Sequence, residues 1–282
     1  MRWPLVVVLG IGLSACGSSV RSGSATNPRP TGHILRRTAT VTGSLPRGSS
    51  AGSPIPNAAA GHARRTATSA AKTQVVGHST RGRPIRLITL TGAPGGRSVL
   101  AVGCIHGTEC AGQAVTRRLV QRGPSGTGTV WVVPDINPDG HALGTRVNAR
   151  GVDLNRNFPT HWQRIGAPGT PQYSGRRPLS ERESRLATRL IERLRPAVTI
   201  WFHQPEDVVR AWGQSVPLAR HYAHLAGARF RAIPWPAGAA TNWQNHTFPG
   251  TTAFVVELAA GPLQPTQAAR YAHAIGQLVA GR

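Results

Sequence analysis

Ser98-Val99-Leu100-Ala101-Val102-Gly103 runs directly into Cys104-Ile105-His106-Gly107-Thr108-Glu109, and this stretch decides the fold. A short apolar run closed by glycine reads as a buried strand. Residues 111–122, just downstream, have helical spacing. Strand followed by helix is the unit from which α/β folds are built, and the pattern recurs along the chain. Upstream, residues 74–79 and 84–91 read as two strands around Arg81-Gly82-Arg83. Downstream, residues 129–134 form a second apolar run, with Val130-Trp131-Val132-Val133 at its centre. Ser180 opens a helix with Glu183 three residues later, a capping-box pattern, and Pro196 stops it. Residues 197–202 and 252–258 read as strands, 216–226 and 264–280 as helices. The expected architecture is α/β, a three-layer α/β/α domain with a central, largely parallel mixed sheet. Between 135 and 173 the chain is rich in Gly, Pro and Asn without a clear period. Irregular loops of that length in compact domains are usually functional.

Open α/β sheets bind ligands outside the carboxyl ends of their strands, which is where His106 and Glu109 fall. Three residues apart, they project the same way from a helical turn or tight loop. An imidazole and a carboxylate so placed can share one metal ion. The same pair can equally be a surface ion pair, so this spacing alone decides nothing. The next segment is more specific: Asn137-Pro138-Asp139-Gly140, then Arg146-Val147-Asn148-Ala149-Arg150-Gly151-Val152-Asp153-Leu154-Asn155-Arg156-Asn157-Phe158.

With His-Gly-Thr-Glu, these strings resemble, in order and with suitable gaps, the zinc metallocarboxypeptidases related to pancreatic carboxypeptidase A, including bacterial members that act on cell-wall peptides. Gly77-His78-Ser79 through Gly82-Arg83-Pro84-Ile85 looks like the usual start of that domain. The resemblance implies one Zn2+ per chain, held by His106, Glu109 and His203. Two His and one Glu leave a fourth position open, as catalytic zinc sites require. Asp153 matches the carboxylate that orients His106 through its other ring nitrogen. Glu257, a charge inside the apolar strand Phe254-Val255-Val256-Glu257-Leu258, matches the general base that takes a proton from water; a strand-edge Glu facing solvent is the plainer alternative. Arg146 matches the residue that polarises the scissile carbonyl. Asn155 and Arg156 match the pair that grips a terminal carboxylate, a task suited to a bidentate guanidinium. The chain departs from the family in having Ile233-Pro234-Trp235-Pro236 where a tyrosine is usual. Trp235 is expected to cap the pocket instead. Thr241 falls where the family places the bottom of the specificity pocket; it is small and uncharged, and favours neither a basic nor a large aromatic side chain.

The remaining sequence concerns location. Arg2 precedes an apolar run at 5–13, too short to span a bilayer and read as a targeting segment. It ends in Leu13-Ser14-Ala15-Cys16-Gly17, which resembles the lipobox of bacterial lipoproteins; a plain secretory signal cut after Ala15 is the alternative. The expected organisation is a signal peptide at 1–15, a disordered Ser/Gly/Pro/Arg-rich tether at 16–73 and a catalytic domain at 74–282. The tether's composition buries too little apolar surface to fold. Lipid on Cys16 would hold the protein on the outer side of a bacterial cytoplasmic membrane, facing the wall. The formal net charge is +23, from 33 basic and 10 acidic residues, with Lys72 the only lysine. Such an excess usually points to nucleic acid, but export favours anionic headgroups and cell-wall polymers, and the scattered arginines show no specific nucleic-acid surface. Of three cysteines, Cys104 and Cys110 remain as a pair once Cys16 carries lipid. Outside the cytosol they are expected to form a disulfide, a zinc role being the lesser alternative. The functional expectation is hydrolysis of a peptide (amide) bond beside a free carboxylate by a monomer acting on peptide or muropeptide, the γ-D-glutamyl–diaminopimelate link being the bond in view. Its rivals are a carboxypeptidase for ordinary L-peptides, a wall-binding module that keeps the fold, and a polyanion-binding basic protein.

Overall fold

The computed structural model describes residues 71–281 apart from Ser125; the signal segment, Cys16 and nearly all of the tether lie outside the described residues. Eight strands form one mixed sheet: β1 (Lys72–His78), β2 (Pro84–Thr91), β3 (Ala93–Val102), β4 (Thr127–Val133), β5 (Val198–His203), β6 (Glu206–Ala211), β7 (Phe230–Ala232) and β8 (Thr252–Ala259). Their order is β1-β2-β4-β3-β5-β8-β6-β7. The central strands β4, β3, β5 and β8 are mutually parallel. Antiparallel neighbours flank them, β2 on β4 and β6 on β8, so the sheet is mixed with a parallel centre.

The helices are α1 (Gly112–Arg122), α2 (Pro138–Leu143), α3 (Arg182–Leu194), α4 (Val216–Leu225), α5 (Ala240–Thr247) and α6 (Pro265–Val279). Side chains alternate across a strand, and both faces of this sheet are covered. Val99 and Ala101, Val198 and Ile200, and Phe254 and Val256 pack against Val115 and Leu119 of α1, Tyr222 of α4 and Tyr271 of α6. Leu100, Val102, Trp201 and Val255 face the other way, against Leu186 and Leu190 of α3 and Trp243 of α5. Parity then decides where the chemistry lies. His203 and Glu257, two residues beyond Trp201 and Val255, share the second face at the strands' carboxyl ends. Phe158 is fully buried there between Trp201 and Trp243. A ring of that size contributes roughly 2–3 kcal/mol by leaving water, which anchors the long irregular segment to the sheet.

Several local details differ from the sequence-based expectation, among them α2, which lies inside the stretch read as irregular. β1 begins at Lys72, so the first two strand residues come from the stretch assigned to the tether. The capping box at Ser180 does not form. α3 begins at Arg182 after Glu181, Ser180 donates to Glu181 Oε1 (2.8 Å), and Glu183 turns inward to accept from Thr80 N (2.7 Å) and Asn148 Nδ2 (3.1 Å). Two donors from other segments compete for that carboxylate and win it from the helix terminus. β6 and β7 were not expected: Glu-Asp-Val-Val-Arg-Ala carries three charges in six residues, and β7 is three residues long. α5, Ala-Thr-Asn-Trp-Gln-Asn-His-Thr, has no apolar period to announce it; Asn155 Oδ1 accepts from Ala240 N (3.0 Å) at its start.

Candidate functional site

The loop after β3 carries His106 and Glu109, and a second loop lies against it closely enough to explain both glycines. A Cβ on Gly107 would sit 2.0 Å from the Gly140 carbonyl carbon, and one on Gly140 would sit 2.3 Å from Val147 O. No side chain fits either position. Asn137 holds the crossing, accepting from Gly140 N (3.0 Å) and donating to Ile105 O (2.9 Å). Asp139 fastens the same loop to the β1–β2 turn through Arg81 N (2.9 Å). Cys104 and Cys110 are joined as a disulfide across the His-Gly-Thr-Glu loop, with Cα atoms 4.7 Å apart. Their sulfurs lie near Asp135 and His141 in a group that could otherwise hold a metal, but bonded sulfurs are not available as ligands.

His106 and Glu109 meet His203, from the end of β5, at one point. His106 Nδ1 is 2.8 Å from Glu109 Oε2 and 3.1 Å from His203 Nδ1, and the latter is 3.0 Å from Glu109 Oε2. A tetrahedral zinc with Zn–N near 2.0–2.1 Å places its donors roughly 3.3 Å apart, so the triangle is close to the size required. Two imidazole nitrogens and one carboxylate oxygen also suit zinc chemically. The electrostatics keep the donors usable. Burial pushes His203 down to about 4, so its imidazole is neutral. Burial opposes charge on Glu109, but the His106 and His203 hydrogen bonds outweigh it and hold the carboxyl well below the usual range. Burial likewise opposes charge on His106, yet the Asp153 carboxylate raises its pKa overall. That carboxylate accepts from His106 Nε2 at 3.0 Å, which fixes the ring with Nδ1 turned to the other two donors. Asp153 itself stays ionised despite its burial, through His106, Arg146 and Arg156.

Glu257 pairs in register with His203 across β5 and β8. It is 7% exposed, which excludes a solvent-facing strand-edge Glu. Burial, with the Glu206 and Glu109 carboxylates adding repulsion, pushes its carboxyl up to about 7. Both residues line a cavity of about 250 Å³ with Arg146, Asn155, Arg156, Trp235 and Thr241. All the expected substrate-side residues therefore reach one cavity, and so do both protein-bound imidazoles and Glu109. Arg146 bonds Asp153 Oδ2 through Nε (3.2 Å) and Glu109 Oε1 through Nη1. Asn155 Oδ1 is taken by Ala240 N, so the amide N–H groups are what Asn155 can offer a ligand. Thr241 lies at the start of α5 and is buried. None of the three tyrosines, Tyr173, Tyr222 and Tyr271, lines the cavity.

Sequence reasoning missed Gln204, Glu206 and Arg210, which line it as well. Gln204 accepts from Ala111 N (3.0 Å) and donates to Ala259 O (2.7 Å) and Gly261 O (2.8 Å). It thereby clamps the ends of β5 and β8 to the chain entering α1. Nothing local in the sequence announces a tertiary clamp of this kind. Arg210 was hidden by composition, since no single arginine stands out in so arginine-rich a chain.

A profile described as zinc carboxypeptidase matches residues 58–235, more than half of the chain. The chain belongs to the zinc carboxypeptidase family. The matched stretch of this family member contains His106, Glu109, Arg146, Asp153, Asn155, Arg156 and His203, and stops before Thr241 and Glu257, which the sheet register and cavity bring in. It is 40% identical to murein peptide amidase A of Escherichia coli (strain K12) over 89 residues, 26% of this chain and 35% of that one. With murein peptide amidase A of Vibrio campbellii it shares 32% over 140 residues, 46% of this chain and 56% of the relative. The chain thus spans between about a fifth and just over half the length of the curated relatives it matches. The crystal structure of murein-tripeptide amidase MpaA from Escherichia coli O157 superposes with a TM-score of 0.60 at 26% identity, over 73% of this chain and 91% of that one. Carboxypeptidase A from Helicoverpa armigera gives 0.64 at 17% identity, over 76% and 68%, a likeness of fold.

Proposed function

We propose that this protein hydrolyses a peptide (amide) bond adjacent to a free carboxylate, using one zinc ion held by His106, Glu109 and His203. The observation that carries this reading is the buried Glu257 beside His203, sharing one cavity with the three donors and with Arg146, Asn155 and Arg156. A module that only bound cell wall would have no use for a base at that point. Zinc, when bound, supplies Lewis acidity to a carbonyl oxygen and lowers the pKa of water. Glu257 accepts the proton of the attacking water and returns it to the leaving amine; a carboxyl raised towards neutrality is suited to both transfers. Arg146, held by Asp153 and Glu109 beside the donors, donates to the scissile carbonyl as negative charge develops on it. Arg156 and the Asn155 amide N–H groups bind the substrate's terminal carboxylate and so fix which bond reaches the base.

The substrate class follows from the relatives and from the N-terminal sequence. Murein peptide amidases are among the similar proteins, and a lipobox-like segment points to export beside the wall. Peptidoglycan stem peptides, cut at the γ-D-glutamyl–diaminopimelate bond, are the substrate this combination favours. The test is incubation of the zinc-loaded protein with L-Ala-γ-D-Glu-diaminopimelate and with ordinary L-peptides, followed by mass spectrometry. Release of diaminopimelate with little turnover of ordinary peptides is expected. Faster release of common C-terminal residues from L-peptides would reassign the enzyme to general carboxypeptidase work.

Placement on the outer side of the cytoplasmic membrane is part of the same reading. One acyl chain gives only marginal membrane binding, whereas two give stable anchoring. A diacylglyceryl group on Cys16 meets that requirement, and the Arg-rich tether adds attraction to anionic headgroups. Cys16→Ser is expected to release the protein or leave the precursor uncleaved. If the variant stays on the membrane with a normally processed N-terminus, Cys16 is not the anchor, and high salt should then wash the protein off.

A further inference from the structure

The cavity holds one guanidinium that the proposed reaction does not use. Arg210 lies directly across from Val255 in the β6–β8 ladder, one pleat behind the pair of Val208 and Glu257. Residues opposite each other in such a ladder share a face, so Arg210 rises from the same face as Glu257, roughly 7 Å behind it along the strand. Its neighbours Val209 and Ala211 face the opposite core. From that inner position Arg210 Nη1 reaches forward to Glu257 Oε1 (3.4 Å) and Glu206 Oε1 (3.3 Å). Both contacts are long for charge-assisted bonds, which run at about 2.7–2.9 Å.

The inner wall is short of acceptors. Arg210 Nε is buried without a partner among the described residues, and so are Thr241 Oγ1 and Trp235 Nε1 on the same cavity. All three are groups that donate hydrogen bonds, and buried donors left unpaired are costly. The Arg210 side chain is 19% exposed to the cavity, so a carboxylate entering here would meet its guanidinium and relieve that shortage. Beside this cation stands an anion: Glu206 is 46% exposed at the rim, and its second oxygen can accept from an incoming ammonium.

We propose that Arg210 and Glu206 form the specificity element of the leaving-residue pocket, selecting a side chain that ends in an ammonium and a carboxylate on one carbon, as diaminopimelate does. This rests on the peptidase reading above and names what its pocket takes. The pair rejects near relatives by charge. A lysine side chain brings its ammonium towards Arg210 with no carboxylate to offset it. A plain acidic side chain meets Arg210 but leaves its single charge facing Glu206 and Glu257. An apolar side chain leaves the buried donors unpaired. Discrimination built on unpaired charges and polar groups is stronger than discrimination by shape.

The test uses the full zinc-loaded protein and three peptides, L-Ala-γ-D-Glu followed by meso-diaminopimelate, by lysine, or by 2-aminopimelate. Lysine lacks only the second carboxylate and 2-aminopimelate only the second ammonium. Wild type should favour diaminopimelate over lysine in kcat/KM by roughly ten- to a hundredfold, the range a charge-assisted bond supports. Arg210→Met should remove most of that preference, chiefly by raising KM for the diaminopimelate peptide. Any loss through the Glu257 contact lowers kcat on all three peptides alike and leaves the ratio untouched. Arg210→Lys should restore part of the preference. Glu206→Gln, at a half-exposed position where folding is not at risk, should reduce the preference for diaminopimelate over 2-aminopimelate several-fold. An Arg210→Met protein that keeps the wild-type ratio, or a wild type that does not distinguish diaminopimelate from lysine, overturns the inference while leaving the peptidase reading intact. Should Arg210→Met fail to fold, an unchanged ratio in Glu206→Gln overturns it. A zinc-loaded wild type that cleaves none of the three peptides overturns both.

Discussion

Glu257→Gln is expected to bind zinc normally, unfold at nearly the wild-type temperature and lose about 10²- to 10⁴-fold in turnover, the usual worth of a general base. Glutamine keeps the shape and hydrogen-bonding reach of the buried side chain, so the β5–β8 pairing that carries it has no reason to change. It removes only the capacity to accept a proton. The pH profile provides a second check. Burial, then the Glu206 and Glu109 charges, raise this carboxyl to about 7, and the base must be ionised to act. Wild-type kcat/KM should therefore rise with pH along its acid limb. A dication on the neighbouring donors stabilises the ionised form and draws that limb below 7. The Gln variant should lose the limb along with the rate. Activity within a few-fold of wild type would take Glu257 out of the mechanism.

His203→Ala should bring zinc occupancy close to zero and abolish turnover, because two donors remain where a catalytic site needs three. Asp153→Asn is the graded companion. Asp153 accepts from His106 Nε2 at 3.0 Å and is not itself one of the three donors. Its loss should weaken zinc affinity by roughly 10- to 100-fold, the usual cost of removing such a partner. Binding should also weaken as pH falls. Burial disfavours a proton on His106, but the Asp153 carboxylate raises its pKa overall, and that proton competes with metal for the ring. Wild-type occupancy in the Ala variant, measured by elemental analysis after dialysis, would remove His203 from the ligand set.

The sheet and the metal donors were readable because each rests on local pattern. Apolar runs mark β3, β4, β5 and β8, the strands that meet helices on both faces. His-Gly-Thr-Glu and Gly-Val-Asp-Leu-Asn-Arg-Asn-Phe then supply chemistry at a fixed spacing. His203 was readable only through its matched context, since a lone histidine after a strand is ordinary. What escaped notice depends on tertiary neighbours. β6 carries Glu206, Asp207 and Arg210 among its six residues, so it lacks the apolar density of the central four. α5 takes its start from Asn155, a residue far away in sequence. Glu183 fits a capping box by spacing, yet its carboxylate is claimed by Thr80 and Asn148 from other segments. Gln204 and Arg210 matter through partners on β8 and beyond it, which no window of the sequence contains.

One zinc on His106, Glu109 and His203 is expected to be what makes this chain a hydrolase. Chelator-stripped protein should be titrated with zinc while bound metal and hydrolysis of the γ-D-glutamyl–diaminopimelate peptide are followed together. Activity should be absent at the start and rise in proportion to bound metal until one equivalent per chain. Full activity in the stripped protein, or a chain that binds no zinc at this site, would contradict the account.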